Sequence, residues 1–411
     1  MRYNLNKLLL TSILFQSLLF ASFSGVVIDK TTSKPIHGAM ISDSSLTVKS
    51  DEEGNFFLHT DEKTAHIKSY GYRGLQLKND ENKTSFELES INVKALYLTF
   101  WRASGNSQTM KKILQIIDTK EVNAIVVDIK NEYGSTLYKT SFAQANSYGA
   151  HKQRTNRNIQ KFMKLLKSKN IYTIARIVTF KDELQASNNP DYAIRNKKGE
   201  IWRNHDKMAW VDPYDKRSHD YAISMAEEAA KVGFDEINFD YIRFPAKTDL
   251  QFSQENTQEN RVEAISTFLD SAKMKLKKYG VYISVDTYGN ILWTKKGDNG
   301  IGQTVKSLAQ HADYLAPMLY PSGFARGSFG KKNPSSYPFI VIYKSIKHVE
   351  NIISPSRIRP WLQYFKDYAH TRRPYKKFEV TEQIRASEKM QTNGWMMWSP
   401  SSRYHMNYFK K

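Results

Sequence analysis

The sequence predicts a (β/α)8 TIM barrel that follows a small N-terminal all-β sandwich. From Ile91 onward, strand-like runs alternate with helical stretches eight times over about 320 residues, which is typical of an eight-stranded parallel barrel. Before Ser90 the chain has short apolar runs separated by turn residues, a pattern that predicts antiparallel strands. A doubly wound open sheet is the alternative for the larger part. No Gly-rich phosphate loop follows its first strand, which counts against the dinucleotide-binding version of that fold.

Residues 1–24 have the pattern of an export signal. Arg2 and Lys7 give a basic start, Leu8–Phe20 is mostly apolar, and small residues that a signal peptidase could recognise follow at Ala21–Ser24. An uncleaved membrane anchor is the alternative, although the apolar run is short for a membrane span. We therefore expect a periplasmic or secreted protein.

Residues 25–90 form the predicted β-sandwich. Its predicted strands are Gly25–Ile28, Ala39–Ile41, Asn55–Leu58, His66–Lys68 and Ser85–Leu88. The landmarks Gly25, Pro35–Ala39, Asp51–Phe56 and Gly71-Tyr72 resemble those of the carboxypeptidase regulatory-like domain, a transthyretin-like sandwich. The resemblance implies an accessory module for spacing or surface contact, and the segment shows no catalytic constellation.

Residues 91–411 form the predicted barrel. Its predicted strands are Lys94–Thr99, Ala124–Ile129, Tyr172–Val178, Glu236–Asp240, Tyr282–Asp286, Asp313–Leu319, Ile358–Gln363 and Gly394–Trp398. Its predicted helices are Ser107–Thr119, Asn156–Ser168, Ser218–Lys231, Asn260–Tyr279, Gly302–His311, Pro338–Asn351 and Val380–Thr392.

Composition limits the classes of partner and cofactor. The formal net charge is +20, which permits binding to nucleic acid, acidic glycans or anionic envelope surfaces. Export makes nucleic acid an unfavourable partner and favours a polysaccharide, an envelope glycan or association with the envelope surface. The chain has no cysteine, so it has neither disulfides nor a thiolate metal site, and its histidines lack ligand spacing. We expect no metal and no cofactor.

The stretch Gly233–Pro245 reads Gly-Phe-Asp-Glu-Ile-Asn-Phe-Asp-Tyr-Ile-Arg-Phe-Pro and is the most informative part of the chain. Apolar Ile237 and Phe239 alternate with polar residues, which predicts a strand that ends at Asp240. Barrel enzymes carry their catalytic residues at the carboxyl ends of the strands. Asp240 is therefore the first catalytic candidate.

Strand alternation predicts which side chains face the inside of the barrel, because large apolar residues should face the helices. The predicted inward ring at the carboxyl end consists of Asp128, Lys130, Asp240, Asp286, Tyr320, Gln363 and Trp398. Apolar residues flank Arg176 on both sides, so alternation leaves its direction open. A buried charge costs several kcal/mol unless it is paired. Three carboxylates at the carboxyl-terminal end of one barrel are therefore more than packing requires. Arg243 either contacts substrate or orders the loop after Asp240.

Several motifs together resemble the glycoside hydrolase barrel family that is catalogued as a domain of unknown function. They are Val126–Gly134, Gly233–Pro245, Ser284–Gly289, Ala316–Ser322 and Gly394–Trp398. The resemblance extends from about Val93 to the C-terminus. It implies a TIM barrel that acts on glycans, without an established reaction.

A looser likeness to chitinase-type barrels does not extend to their catalytic acid. Their glutamate, two residues past Asp240, is Ile242 here, and the seventh strand offers Gln363 where other barrels have a glutamate nucleophile. The remaining pair is Asp240 as nucleophile with Asp286 as acid, an arrangement similar to that of amylase-type barrels.

Two other functions stay open at this stage. Asp128, Lys130, Arg176, Arg243, Tyr320, Gln363 and Trp398 are the substrate-binding candidates. A non-catalytic carbohydrate-binding barrel would use the same residues, and Schiff-base chemistry on Lys130 is the third possibility.

Overall fold

The computed structural model describes residues 22–78, 83–104, 107–294 and 296–411. Most of the predicted export signal, residues 1–21, lies outside the described residues. Its last three residues, Ser22–Ser24, belong to the first strand and pair with Phe57–His59. In the described part of the chain, no helix is both long enough and apolar enough to span a bilayer.

Two sheets form the N-terminal sandwich. The strands are β1 (Ser22–Asp29), β2 (Met40–Ser42), β3 (Thr47–Lys49), β4 (Asn55–His59), β5 (Thr64–Lys68), β6 (Leu75–Lys78) and β7 (Ser85–Leu88). The sheets have the orders β4-β1-β7 and β3-β2-β5-β6 and enclose a shared apolar core. All five predicted strands are present, whereas β3 and β6 were not predicted. The kinship of this unit with the carboxypeptidase regulatory-like domain stays a prediction.

Eight parallel strands close into the predicted barrel. They are β8 (Val93–Leu98), β9 (Ala124–Lys130), β10 (Tyr172–Val178), β12 (Glu236–Asp240), β14 (Tyr282–Tyr288), β15 (Tyr314–Met318), β16 (Trp361–Gln363) and β17 (Gly394–Trp398). The short strands β11 (Arg195–Asn196) and β13 (Leu250–Gln251) pair with each other in the loops that follow β10 and β12. The predicted fold class is confirmed.

Helices surround the barrel. They are α1 (Gln108–Thr119), α2 (Ala143–Ser147), α3 (Ile159–Ser168), α4 (Glu183–Asn188), α5 (Lys216–Val232), α6 (Gln258–Leu276), α7 (Val305–His311), α8 (Pro338–Val349) and α9 (Lys377–Lys389). Side-chain oxygens of Ser107, Asn158 and Thr257 accept backbone N–H groups at the starts of their helices. Gly233 ends α5 with a φ of 101°, a left-handed conformation that glycine adopts without strain. The short helices α2 and α4 were not predicted.

Inward and outward residues alternate along the strands as predicted. Ile237 and Phe239 pack in the outer core against the helices, and the same holds for the odd-numbered residues of β9 up to Ile129. Tyr172 and Ile174 pack inside the barrel, so the alternation of β10 points Arg176 inward as well. The open question about Arg176 is thereby resolved.

The sandwich docks on the amino-terminal end of the barrel. The Tyr282 hydroxyl donates to the carbonyl oxygens of Ser69 and Tyr72, each at 2.8 Å. Lys68 forms a salt bridge with Asp313, with 3.1 Å between nitrogen and oxygen. Because Tyr282 begins β14, this contact lies at the end opposite to the carboxyl-terminal mouth. The sandwich therefore leaves the mouth open.

Candidate active site

A cavity of about 230 Å³ opens at the carboxyl ends of the barrel strands. Its lining residues are Arg176, Asp240, Tyr241, Arg243, Asp286, Thr287, Tyr288, Gln303, Met318, Tyr320 and Trp398. Six predicted site residues are in this set: Arg176, Asp240, Arg243, Asp286, Tyr320 and Trp398. Polar groups that converge in a concave site at this end of a barrel define a candidate active site.

Three carboxylates converge on one guanidinium in the floor of the cavity. Arg176 Nη1 lies 2.5 Å from Asp128 Oδ1, and Arg176 Nη2 contacts Asp240 Oδ2. Arg176 Nε lies 3.6 Å from Asp286 Oδ2. Each of these four side chains is at most 6% exposed. The three aspartates meet at Arg176 as predicted, but of the three only Asp240 and Asp286 line the cavity.

Asp286 is the most enclosed of the three carboxyl groups. Its Oδ1 accepts hydrogen bonds from Asn238 Nδ2 at 2.9 Å and from the Trp361 indole N–H at 2.7 Å. Its Oδ2 has no hydrogen-bond partner among the described residues. Burial raises the pKa of Asp286 well above its usual range, the charge of Asp240 raises it further, and Arg176 only partly opposes them. The structure thus favours a protonated carboxylic acid at Asp286.

Asp240 lies at the end of β12 beside a tight turn. Its Oδ1 accepts the backbone N–H of Tyr241 at 2.6 Å. Tyr241 has a φ of 49°, which few residues other than glycine adopt. Such strain concentrates at functional sites, where the surrounding structure enforces it. Here the turn aims Asp240 at the cavity and brings the Tyr241 ring into the cavity wall.

Arg176 links the carboxylates to an aromatic wall. Its guanidinium lies 5.1 Å from the Trp398 ring centroid, and Trp398 stacks on Tyr97 with 4.0 Å between centroids. The Tyr97 hydroxyl donates to Asp128 Oδ2. Burial alone would lower the pKa of Arg176, but Asp128 and Asp240 outweigh it and raise that pKa. Arg176 therefore keeps its charge in the barrel.

Arg243 forms part of the rim and stacks among aromatic rings. Its guanidinium lies 5.0, 5.1 and 4.8 Å from the ring centroids of Trp210, Tyr241 and Tyr288. Its Nη1 donates to the Phe244 carbonyl at 3.0 Å. Arg243 contacts the loop after Asp240 and lines the cavity, and its contact with substrate stays a prediction.

Asp128 contributes to the site from behind Arg176. Its pKa is raised by burial, against the opposing charge of Arg176. It contacts Arg176 and Tyr97 and is absent from the cavity lining. Glu132 lies on the loop after β9, half-buried, and its charge adds slightly to the upward shift of the Asp128 pKa.

Lys130 and Gln363 do not reach the cavity. Lys130 is fully buried, with Nζ 2.8 Å from Asp182 Oδ2, because a register shift at Arg176/Ile177 separates the end of β9 from the ring. Gln363 is also fully buried, and its amide holds Ser322 through Nε2–Oγ at 2.7 Å and N–Oε1 at 3.1 Å. Gln363 lies on the inward face of its strand as predicted but outside the cavity lining. Lys130 pairs with Ile177, which packs in the outer core, so its predicted inward direction was wrong. The side-chain partners Asp182 and Ser322 come from loops.

Sequence reasoning missed several residues that shape the site. Tyr97 and Trp361 contact Asp128 and Asp286, and strand alternation alone could have placed both inside the barrel. Trp210 lies in the long loop after β10, and its contact with Arg243 depends on how that loop folds. No periodic pattern in the sequence could have predicted that contact. Among the described residues, no group of three or more His, Cys, Asp or Glu side chains could hold a metal ion.

The fold and the site define a barrel of glycoside-hydrolase type. A family model described as "Putative glycosyl hydrolase domain" matches residues 95–404, which is most of the chain. The chain belongs to this family, and the predicted resemblance of the barrel is confirmed. No curated protein matches the chain.

Solved structures show the same barrel architecture. The PgaB (BpsB) glycoside hydrolase domain from Bordetella bronchiseptica has a TM-score of 0.56 and 11% identity, over 75% of this chain and 94% of that one. Alpha-L-fucosidase isoenzyme 2 from Paenibacillus thiaminolyticus has a TM-score of 0.52 and 13% identity, over 77% of this chain and 48% of that one. A hypothetical protein from Ruminiclostridium thermocellum is 35% identical over 46% of this chain and 96% of that one, with a TM-score of 0.41. At these identities, the first two likenesses establish the fold.

Proposed function

We propose that this protein is an exported glycoside hydrolase that cleaves a polysaccharide or envelope glycan with Asp240 and Asp286. The observation that carries the proposal is the pairing of two unlike carboxyl groups in one cavity. Asp240 forms a salt bridge with Arg176, whereas burial raises the pKa of Asp286 well above its usual range. Glycoside cleavage needs one carboxyl group that donates a proton and a second that attacks carbon or activates water.

The roles follow from these environments. Asp286 Oδ1 is occupied by two neutral donors, whereas Oδ2 has no hydrogen-bond partner in the part of the chain that is described. We assign the proton of the acid form to Oδ2, since Oδ1 is already occupied and the Asp286 side chain lines the cavity. Asp240, beside the positive charge of Arg176, serves as the nucleophile. The two residues lie on adjacent strands, which are about 4.8 Å apart. We therefore expect retention of anomeric configuration, since retaining enzymes place their carboxyl groups about 5–5.5 Å apart.

Aromatic residues around the cavity suit a sugar ring. Trp398 and Tyr320 are half-buried and line the cavity, and Tyr288 is 48% exposed at its rim. Aromatic faces can stack on the apolar faces of sugars, while the carboxylates accept sugar hydroxyl groups. A non-catalytic carbohydrate-binding barrel would use the same contacts, but it would not require one carboxyl group to be held in the acid form.

Hydrolysis of a broad glycan panel by the full-length protein tests this proposal. Release of new reducing ends by the wild type, and its loss in Asp240→Asn and Asp286→Asn, is expected. Both substitutions preserve the side-chain size, so circular dichroism should match the wild type, and thermal melting shows whether each variant is folded at the assay temperature after Asp240→Asn removes the ion pair with Arg176. Binding without turnover would favour the non-catalytic barrel. Full activity in either variant would remove this catalytic pair.

A further inference from the structure

We propose that the substrate carries an anionic group, which a basic cleft beside the catalytic cavity binds. The inference rests on the proposed function and adds a substrate class to it. The basic cleft has a volume of about 410 Å³, and its lining includes Trp202, Arg203, Trp210, Arg243, Lys247 and Tyr288. Arg243 and Tyr288 also line the catalytic cavity, so a glycan chain can extend from one into the other.

The cleft has positive charge without matching negative charge. None of the described residues that line it is acidic. Arg203 is neutralised by Glu183, with 2.7 Å between Nη2 and Oε1. Arg243 and Lys247 form no ion pair with any carboxylate in the described ranges. The cleft thus lacks the counter-ions that these two cations would normally have.

Arg243 is held ready for an anion. The three aromatic rings around it fix the plane of its guanidinium, and its only strong hydrogen bond to the described protein is Nη1 to the Phe244 carbonyl. A planar guanidinium presents paired N–H groups that fit a carboxylate, sulfate or phosphate. Because the rings have already restricted its rotamers, binding costs little side-chain entropy.

Trp210 forms a buried part of the cleft wall. The residue is 2% exposed, and its indole N–H has no hydrogen-bond partner within the described chain. Its indole ring contributes to the cleft by packing against the Arg243 guanidinium, which lies 5.0 Å from the ring centroid.

The catalytic cavity and the basic cleft bind different sugars of the same substrate. The charge of Asp240 would repel a second negative charge on the sugar that is cleaved. The anionic group therefore belongs to a sugar next to the cleaved residue, where Arg243 and Lys247 lie. A uronic acid carboxylate and a sulfate or phosphate ester share this chemistry.

Matched glycan pairs test the inference by direct binding. The full-length Asp240→Asn variant, which should not turn substrate over, is applied to acidic oligosaccharides. Each is paired with its carboxyl-reduced, desulfated or dephosphorylated counterpart. At low salt, we expect each acidic oligosaccharide to bind at least about 10-fold more tightly than its neutral counterpart, because charge-assisted hydrogen bonds are stronger than neutral ones. The preference should shrink as salt screens the charges. The type of pair that shows the preference identifies the anionic group as a carboxylate, a sulfate or a phosphate.

Further substitutions assign the preference to the cleft. Adding Arg243→Gln should bring the acidic and neutral members to within about 2-fold of each other. Adding Lys247→Gln at the exposed rim should reduce the preference in part without disturbing the aromatic cluster. Lys111→Gln, the same charge change on an exposed face of α1, should leave the preference intact.

The two proposals fail in different ways. Equal binding of the paired members, binding of neutral glycans alone, or no binding at all would overturn the anionic substrate class. A preference that survives both Arg243→Gln and Lys247→Gln would overturn the assignment of the anionic group to the basic cleft. Absence of reducing-end release by the wild type on the glycans that bind would instead refute the hydrolase and leave the charge preference standing.

Discussion

Replacing Arg176 by methionine should destabilise the protein strongly near neutral pH. The guanidinium contacts Asp128 and Asp240 and lies 3.6 Å from Asp286, and no side chain in this cluster is more than 6% exposed. Methionine has a similar shape and no charge, so the three carboxylates would share a buried space without a cation. Removing one partner of a buried ion pair typically costs about 3–5 kcal/mol. We expect a loss of that size in the free energy of unfolding at pH 7.5.

The loss should diminish in acid. Burial already raises the pKa of Asp128 and Asp286, and removal of the cation would raise both further above the value near 3.8 of the unfolded chain. Above that value the folded state then binds more protons than the unfolded state, so stability falls as pH rises. The deficit should therefore be smallest near pH 4 and should grow toward neutral pH.

Urea unfolding at pH 4.5 and 7.5 measures both effects. Arg359→Met is the matched control, because Arg359 is 1% exposed and pairs with the single carboxylate of Glu236. It should also destabilise the protein, with a shallower dependence on pH. A deficit for Arg176→Met that is equal at the two pH values, or absent, would refute the account of the carboxylate cluster.

Three further predictions follow from the contacts. The fragment 91–411 should unfold cooperatively but less stably than the full chain, because the Tyr282 hydroxyl loses its carbonyl partners in the sandwich; a molten fragment across several boundaries would contradict the domain division. Trp361→Phe removes a donor that lowers the pKa of Asp286, so the basic limb of the kcat/KM profile should move to higher pH; an unmoved limb would count against Asp286 as the acid. Borohydride in the presence of carbonyl substrates should trap no adduct on Lys130, which is fully buried against Asp182; a trapped adduct would revive the Schiff-base mechanism.

The barrel strands and the inward or outward direction of their side chains could be predicted, because both depend on the local alternation of apolar and polar residues. The strands Tyr172–Val178, Glu236–Asp240 and Gly394–Trp398 have the predicted bounds. The inward direction of Asp240 and Asp286 followed from the apolar residues beside them. The direction of Arg176 could not be predicted because the residues on both sides of it are apolar. The inward packing of Tyr172 and Ile174 and the ion pairs of Arg176 show that it points inward.

Contacts that depend on loops could not be predicted. The register shift pairs Lys130 with the outward-facing Ile177, and Asp182 from the loop after β10 binds its ammonium group. Trp202 and Trp210 build the basic cleft from the irregular segment between the short strand β11 and helix α5. The conformation of such a segment depends on its long-range contacts, and no periodic pattern in the sequence predicts it.

The dependence of rate on the leaving group tests the central claim most directly. A sugar that the glycan screen identifies is compared as its natural glycoside and as its dinitrophenyl glycoside, whose leaving group needs no proton. Asp286→Asn should lower the rate on the natural glycoside by roughly 10²–10⁴-fold and affect the dinitrophenyl glycoside far less. Asp240→Asn should lower both rates by orders of magnitude. Equal losses on the two substrates in Asp286→Asn, or near-wild-type rates in Asp240→Asn, would contradict the assignment of acid and nucleophile.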